Sequence, residues 1–241
     1  MSSYVLVHGA FHGGWCWKKI VPQLVQAGHQ VVALDLPAHG EDTTPISELT
    51  LQTQVSTVVQ VIKTRKEPVI LVGHSFGGVI ISQAAEQVPE LVKSLVYLSA
   101  MVPLNGQSGL DLLDSNSQLG PNLIINVEEG YGAVNPEMVP FLFYNDCSPE
   151  DIAFATPQLV REPLLPTRQP VSLTAGNFGR LPKAYIECTL DNTFTLGFQR
   201  QLQANITCQV LSLESGHSPF FSRPVELANL LLAFAAQPAG V

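Results

Sequence analysis

Charge is scarce in this sequence, and most of it is acidic. Charged residues make up 13% of the 241 residues, with 12 Lys and Arg against 20 Asp and Glu, a formal net charge of −8. No basic cluster appears, so we expect neither nucleic acid nor an anionic membrane surface as a partner. No apolar run is long enough to span a membrane. A strand is predicted from Tyr4 onward, which leaves no room for a signal peptide, and we expect a cytoplasmic protein.

Cysteine is also scarce. The four cysteines are Cys16, Cys147, Cys188 and Cys208. None forms a C-x-x-C motif, and none stands at metal-ligand spacing with a histidine, so we expect no metal site. We interpret them as buried free thiols in a reducing compartment.

Apolar residues, in contrast, are plentiful. They make up 46% of the chain, enough for one large α/β domain or two small ones. Strands are predicted at residues 4–7, 30–34, 68–72, 94–99, 183–188 and 208–212, with helices at 15–27, 51–63, 79–86, 194–203 and 225–236. Ser222 is the predicted N-cap of the last helix, with Pro224 in its first turn. Apolar strands joined by helices favour a mostly parallel sheet flanked by helices on both faces.

The alternation of strand and helix stops in the middle of the chain. Residues 104–181 are rich in proline and asparagine, and they also hold aromatic residues, which argues against a disordered linker. We therefore predict an α/β core made of residues 1–103 and 182–241, with residues 104–181 inserted as a small cap. This insertion is called the cap segment below.

The segment GHSFGG at residues 73–78 lies between a predicted strand and a predicted helix. A G-x-S-x-G motif in that context indicates a nucleophile elbow, a strained turn that exposes a serine at the carboxyl end of a sheet. The rival interpretation is a glycine-rich connection with a chance serine. Ser75 is therefore the candidate nucleophile.

A serine hydroxyl needs a base, and in this arrangement the chain order is serine, acid, histidine. His217 follows the last predicted strand, and Asp191 follows the strand before it. We predict them as base and acid. Asp111 and Asp114 are the alternative acids, because they follow the preceding strand.

An oxyanion needs two N–H donors. We predict the backbone N–H groups of Phe76, next to the nucleophile, and of Ala10, in the glycine-rich loop after the first strand. His8 and His12 lie in that loop, and we interpret them as its scaffold.

Four segments carry a resemblance to a known family: residues 8–15 (HGAFHGGW), 73–78 (GHSFGG), 146–151 (DCSPED) and 185–191 (YIECTLD). The chain resembles the plant-type methylesterase and hydroxynitrile lyase branch of the α/β-hydrolase superfamily. The resemblance implies an α/β-hydrolase fold with a six-stranded sheet and a small cap. It also implies ester hydrolysis without a cofactor, with Ser75, Asp191 and His217 as the triad and Ala10 and Phe76 as the oxyanion donors.

Two positions depart from the lyases of this branch. Many of them have threonine at the position of Gly9 and lysine at that of Ser218, and another group has asparagine at the first position. Both departures favour an esterase. A lyase, a lactone-hydrolysing enzyme and a non-catalytic binding module are kept as alternatives.

The expected substrate is a small, uncharged ester with an apolar or aromatic acyl part, because aromatic residues are frequent in the cap segment. The candidate pocket residues are Phe11, Phe141, Phe143, Tyr144 and Ser218. The alternative is that these aromatic side chains only pack the cap onto the core. The oligomeric state is left open, with a homodimer as one option.

Overall fold

A computed structural model describes residues 1–236 and places their strands in two sheets. In chain order the strands are β1 (Ser3–Val7), β2 (Gln30–Leu34), β3 (Val69–His74), β4 (Val92–Leu98), β5 (Leu123–Asn126), β6 (Tyr131–Val134), β7 (Glu162–Pro163), β8 (Lys183–Cys188) and β9 (Gln209–Leu213). The main sheet has six parallel strands in the order β2-β1-β3-β4-β8-β9. Strands β5, β6 and β7 form a small antiparallel sheet.

Helices cover both faces of the main sheet. The α-helices are α1 (Val21–Gln26), α2 (Leu51–Lys63), α3 (Gly77–Gln87), α4 (Val139–Phe143), α5 (Pro149–Ala155), α6 (Leu164–Arg168), α7 (Leu196–Gln203), α8 (Pro219–Ser222) and α9 (Pro224–Ala235). Helices α2 and α3 pack on one face and α1 and α9 on the other. Successive residues of β3 alternate between these two cores, so every position of the strand is buried.

The parallel arrangement brings the carboxyl ends of the strands to one edge of the sheet. In β3 and β4, His74 pairs with Leu98, and in β1 and β3, Val7 pairs with Gly73. The loops after β1, β3, β4, β8 and β9 therefore begin side by side. Ligand sites of open α/β sheets lie at such an edge.

The cap segment lies between β4 and β8 in the chain and contains β5 to β7 and α4 to α6. An ion pair joins it to the core, with Lys19 Nζ 2.7 Å from an Asp151 carboxylate oxygen. The boundaries of core and cap stay a prediction.

Two predicted helices differ in detail. The helix predicted at 15–27 is a 3-10 helix at Gly14–Lys19 followed by α1, because Pro22 fits only the first turn of a new helix. Ser222 is not the N-cap of the last helix, since it ends α8 and Arg223 occupies the N-cap position of α9. Within residues 1–236, no helix has the length and apolar character that a membrane span needs.

Candidate active site

Ser75 occupies a strained turn between β3 and α3. Its φ is 52°, in the left-handed region that a non-glycine residue rarely adopts. Its carbonyl oxygen accepts hydrogen bonds from Gly78 N at 3.1 Å and Met101 N at 3.0 Å, which hold the turn. A Cβ on Gly77 would lie 2.6 Å from the His8 carbonyl oxygen, so only glycine fits there. The sequence thus folds here into the expected sharp elbow.

Asp191 and His217 form a buried pair at the same edge of the sheet. His217 Nδ1 lies 2.7 Å from Asp191 Oδ2, and the two side chains are 2% exposed for the histidine and 0% for the aspartate. The other carboxylate oxygen, Oδ1, accepts from Thr193 N at 2.6 Å and Phe194 N at 2.9 Å. These donors fix the carboxylate, and the carboxylate in turn fixes the orientation of the imidazole.

The alternative acids make other contacts. Asp111 accepts from the backbone N and the hydroxyl of Ser108, and Asp114 accepts from the backbone N and the hydroxyl of Thr195. Neither reaches His217. The geometry therefore favours Asp191 over both.

Ser75 and His217 face a common cavity. Within residues 1–236 no hydrogen bond joins the Ser75 hydroxyl to His217. In ligand-free structures, hydrogen bonds between catalytic groups are often long and tighten only when a ligand binds. His217 Nε2 has no partner among these residues either, so the nitrogen is free to accept a proton.

Two side chains that the sequence did not single out hold this pair. Ser99 Oγ donates to Asp191 Oδ2 at 2.5 Å, and Ser99 has a φ of 38°. His74 Nε2 lies 2.8 Å from the carbonyl oxygen of His217, so it must carry a proton and donate. Burial, and next the charge of His217, lower the pKa of His74 well below its usual value, which leaves it neutral. The position of Ser99 directly after β4, at the carboxyl edge, is the signal that could have drawn attention to it.

The two predicted oxyanion donors line the cavity beside Ser75. Within the described residues, neither Ala10 N–H nor Phe76 N–H donates a hydrogen bond. Phe76 precedes the first turn of α3, where unpaired N–H groups favour an anion. Gly9 lies against the elbow, since a Cβ there would come within 2.7 Å of Ser75 Cβ. Two donors without partners beside the candidate serine are what an oxyanion hole needs, and this role of Ala10 and Phe76 stays a prediction.

His8 and His12 hold the loop after β1. His8 Nε2 accepts from Leu36 N at 3.1 Å, so its Nδ1 carries the proton and donates to Gly9 O at 2.8 Å. His12 Nδ1 lies 2.8 Å from Ala10 O, and its Nε2 lies 2.9 Å from the Tyr144 hydroxyl. Burial lowers the pKa of His12 to about 4 and that of His8 well below its usual value, so both rings are neutral. Their contacts are those of a scaffold, as the sequence suggested.

A second buried histidine–carboxylate pair lies next to this loop, and no sequence motif indicated it. His39 Nε2 lies 2.9 Å from Glu162 Oε2, with side chains 1% and 4% exposed. The same oxygen accepts from Phe11 N at 2.8 Å. Phe11 has a φ of 66°. No sequence pattern links residues 11, 39 and 162, because the three come together only when the cap segment packs on the core.

The cavity is mainly apolar and has a volume of about 750 Å³ including its mouth. Its aliphatic walls come from Leu110, Leu113, Leu119, Leu123, Ile125 and Leu164. Of the five predicted pocket residues, Phe11 and Phe143 line it.

The other three predicted pocket residues lie elsewhere. Phe141 is 46% exposed, because it falls on the outer side of the short helix α4. Tyr144 is fully buried and its hydroxyl contacts His12. Ser218 is buried next to His217 in the chain, and its hydroxyl has no partner within residues 1–236. In that part of the chain, no group of three or more His, Cys, Asp or Glu side chains could hold a metal ion.

Comparison with known proteins gives a consistent result. The alpha/beta hydrolase family model matches residues 4–230. The chain is 34% identical to salicylic acid-binding protein 2 of Nicotiana tabacum over 251 residues, which cover 96% of each chain. It is 32% identical to putative methylesterase 13, chloroplastic, of Arabidopsis thaliana over 98% of this chain but 56% of that protein. The chain thus spans little more than half the length of this second relative.

A solved structure is similar over the whole chain. The crystal structure of a pyrethroid hydrolase from Sphingobium faniae JZ-2 has a TM-score of 0.90 and 26% sequence identity, with 99% of this chain and 98% of that chain covered.

Proposed function

Because the chain belongs to the alpha/beta hydrolase family, we propose that it is a serine hydrolase of carboxylic esters, similar to the methylesterases. The observation that carries this proposal is the position of Ser75. It stands on a left-handed turn in one cavity with His217 and with two backbone N–H groups that have no partner within residues 1–236.

The proposed reaction has two halves. Ser75 Oγ attacks the ester carbonyl carbon while His217 Nε2 takes the hydroxyl proton. The carbonyl oxygen becomes an oxyanion, which the N–H groups of Ala10 and Phe76 stabilise. The C–O bond to the alcohol then breaks, and His217 returns the proton to the leaving alkoxide. A water molecule, activated by His217, releases the acid from the acyl-enzyme and restores Ser75.

Asp191 makes His217 a base of the right tautomer. With Nδ1 protonated and donating to Asp191 Oδ2, Nε2 keeps a lone pair for the Ser75 proton. The carboxylate also stabilises the imidazolium that forms.

The substrate that suits this cavity is a small uncharged ester with an apolar or aromatic acyl part. The walls are mostly aliphatic, and the one carboxylate among the lining residues, Glu162, is already paired with His39, so neither offers a free charge to an ionised substituent. The net charge of −8 opposes the approach of anions. A small alcohol, methanol first, is the proposed leaving group.

A homodimer and a cytoplasmic location stay predictions.

Gly9 argues against the lyase alternative. A threonine at this position would need a Cβ within 2.7 Å of Ser75 Cβ, which the present backbone does not allow. At the position after the base, Ser218 is a buried neutral residue and supplies no cation for a departing cyanide. Release of cyanide from mandelonitrile would revive that alternative.

Ser75→Ala tests the proposal. We expect it to lower ester turnover by roughly 10⁴–10⁶, the range found for removal of a triad nucleophile, with an unchanged fold. A burst of p-nitrophenol from p-nitrophenyl acetate should be lost, and a fluorophosphonate should label Ser75 in the wild type alone. Ser82→Ala is the matched control, because Ser82 is also buried but bonds only to Gly78 O and the Tyr97 hydroxyl. A tenth of wild-type turnover in Ser75→Ala would contradict the mechanism, and a wild type without turnover would favour a non-catalytic binding module.

A further inference from the structure

The cap segment holds the oxyanion loop through the backbone of Phe11. Glu162 Oε2 accepts from Phe11 N at 2.8 Å, and Val160 N donates to Phe11 O at 2.9 Å. Phe11 has a φ of 66°, a conformation that is costly for a bulky residue and persists only when its surroundings hold it. Both polar groups of its backbone are thus held by residues of the cap segment.

These contacts fix the Ala10–Phe11 peptide, which adjoins the peptide that carries the predicted oxyanion donor. In the Ala10–Phe11 peptide, the oxygen lies 2.8 Å from His12 Nδ1 and the N–H donates to Glu162. The preceding peptide carries the Ala10 N–H, which has no partner within residues 1–236 and lines the cavity. The oxygen of this preceding peptide, Gly9 O, accepts from His8 Nδ1 of the core at 2.8 Å. The core thus holds the peptide on one side of the Ala10 Cα and the cap segment holds the peptide on the other side, and the two together set the direction of the Ala10 N–H.

His39 balances the charge of Glu162. Its Nε2 lies 2.9 Å from Glu162 Oε2 and its Nδ1 lies 2.9 Å from Pro37 O. Both partners are acceptors, so both ring nitrogens carry protons and His39 is a cation. The direction of its pKa agrees: burial lowers it, but the charge and hydrogen bond of Glu162 outweigh that effect and raise it. A buried carboxylate that is paired in this way can serve as a rigid acceptor.

We infer that Glu162, paired with His39, is a positioning residue for the oxyanion hole. It reaches from β7 of the cap segment into the core and clamps the Ala10–Phe11 peptide, so that the Ala10 N–H faces the ester carbonyl. The inference rests on the proposed function, since it concerns the hole of that reaction. The packing of the cap segment on the core and the formation of the oxyanion hole therefore both depend on the Glu162 carboxylate.

Glu162→Ala is the direct test. Loss of one oxyanion donor lowers kcat by about 10²–10³, and a donor that is only misplaced should cost part of that, about 10–100-fold. We expect this fall in kcat on p-nitrophenyl acetate, with KM within about threefold of wild type, because the donor acts mainly in the transition state. The rate at which a fluorophosphonate labels Ser75 should fall in parallel.

Glu162→Gln separates positioning from a merely structural role. Glu162 Oε1 has no partner within residues 1–236, so a glutamine can place its NH₂ there and keep an oxygen for Phe11 N. We expect kcat within about threefold of wild type, because the acceptor that holds the peptide is retained and the transition state loses no interaction. Asp151→Ala is the matched control, because Asp151 also joins the cap segment to the core, through Lys19, but touches no part of the oxyanion loop.

Three results would overturn the inference: unchanged kcat in Glu162→Ala, equal losses in Glu162→Ala and Asp151→Ala, or a rise in KM alone. Unfolding temperatures of all variants identify any loss that comes from unfolding. Failure of the proposed function looks different, because the wild type itself would then hydrolyse no ester. The labelling rate of Ser75 still decides the positioning role in that case, since it needs no turnover.

Discussion

Residues 1–236 contain two buried histidine–carboxylate pairs, and they differ in what the second ring nitrogen meets. In the pair of His217 and Asp191, Nδ1 is bonded and Nε2 is free at the cavity. In the pair of His39 and Glu162, Nε2 is bonded and Nδ1 donates to Pro37 O. The first ring keeps a nitrogen without a partner at the cavity, as the proposed proton transfer needs, whereas both nitrogens of the second ring are occupied. Two similar pairs can thus suit different roles, proton transfer or positioning, depending on whether the second ring nitrogen of the histidine has a hydrogen-bond partner.

The largest expected difference between the pairs comes from removing the carboxylate charge of each. In Asp191→Asn, Thr193 N and Phe194 N keep the amide oxygen at the Oδ1 position, so the NH₂ faces His217 Nδ1. The histidine proton then moves to Nε2, which can no longer accept one, and we expect kcat to fall by about 10³–10⁴. Glu162→Gln should change kcat by about threefold at most, since its acceptor oxygen is kept. Near-normal turnover in Asp191→Asn, with a collapse in Asp114→Asn, would assign the acid elsewhere.

The fold and the candidate site differed in how far the sequence alone could predict them. The α/β-hydrolase fold class and the resemblance to the plant methylesterase branch are confirmed, because buried strands and the elbow leave local patterns in the chain. Ser75, Asp191 and His217 were also found from such patterns, since each follows a strand. Their catalytic roles stay predictions.

Contacts between distant segments left no such pattern. Glu162 in the cap segment reaches Phe11 and His39 in the core only after packing. Composition also does not determine which side of a short helix an aromatic residue faces. For this reason the prediction that Phe141 lines the pocket was wrong, and its side chain is exposed. Side-chain partners of this kind depend on the tertiary fold.

Ser99→Ala should sharpen the comparison with a smaller effect. It removes the hydroxyl that donates to Asp191 Oδ2 and leaves the other three donors of that carboxylate in place. We expect kcat to fall about three- to tenfold and the free energy of unfolding to fall by about 1 kcal/mol, the usual value for one buried hydrogen bond. Ser82→Ala also removes a buried hydroxyl, one with two hydrogen bonds, so it should lower the free energy of unfolding at least as much and leave kcat unchanged. Equal kcat in the two variants would show that Ser99 does not act through Asp191.

The smallest expected effect is the pH dependence of the stability that the His39 pair contributes. Burial lowers the pKa of His39, but the charge and hydrogen bond of Glu162 raise it further, so the folded value exceeds the unfolded value of about 6.5. When the pKa is higher in the folded protein, the stability that the pair contributes is fully present below the unfolded pKa. It is lost as the pH rises through the folded pKa. The advantage in unfolding temperature of the wild type over His39→Gln should therefore be largest below about pH 6.5 and shrink as the pH rises through the raised folded pKa. His29 gives the opposite sign, because burial, and then the N-terminal charge, lower its pKa, so its contribution is lost as the pH falls below about 6.5. A difference between wild type and His39→Gln that stays constant across this range would mean that His39 does not hold the extra proton in the folded protein.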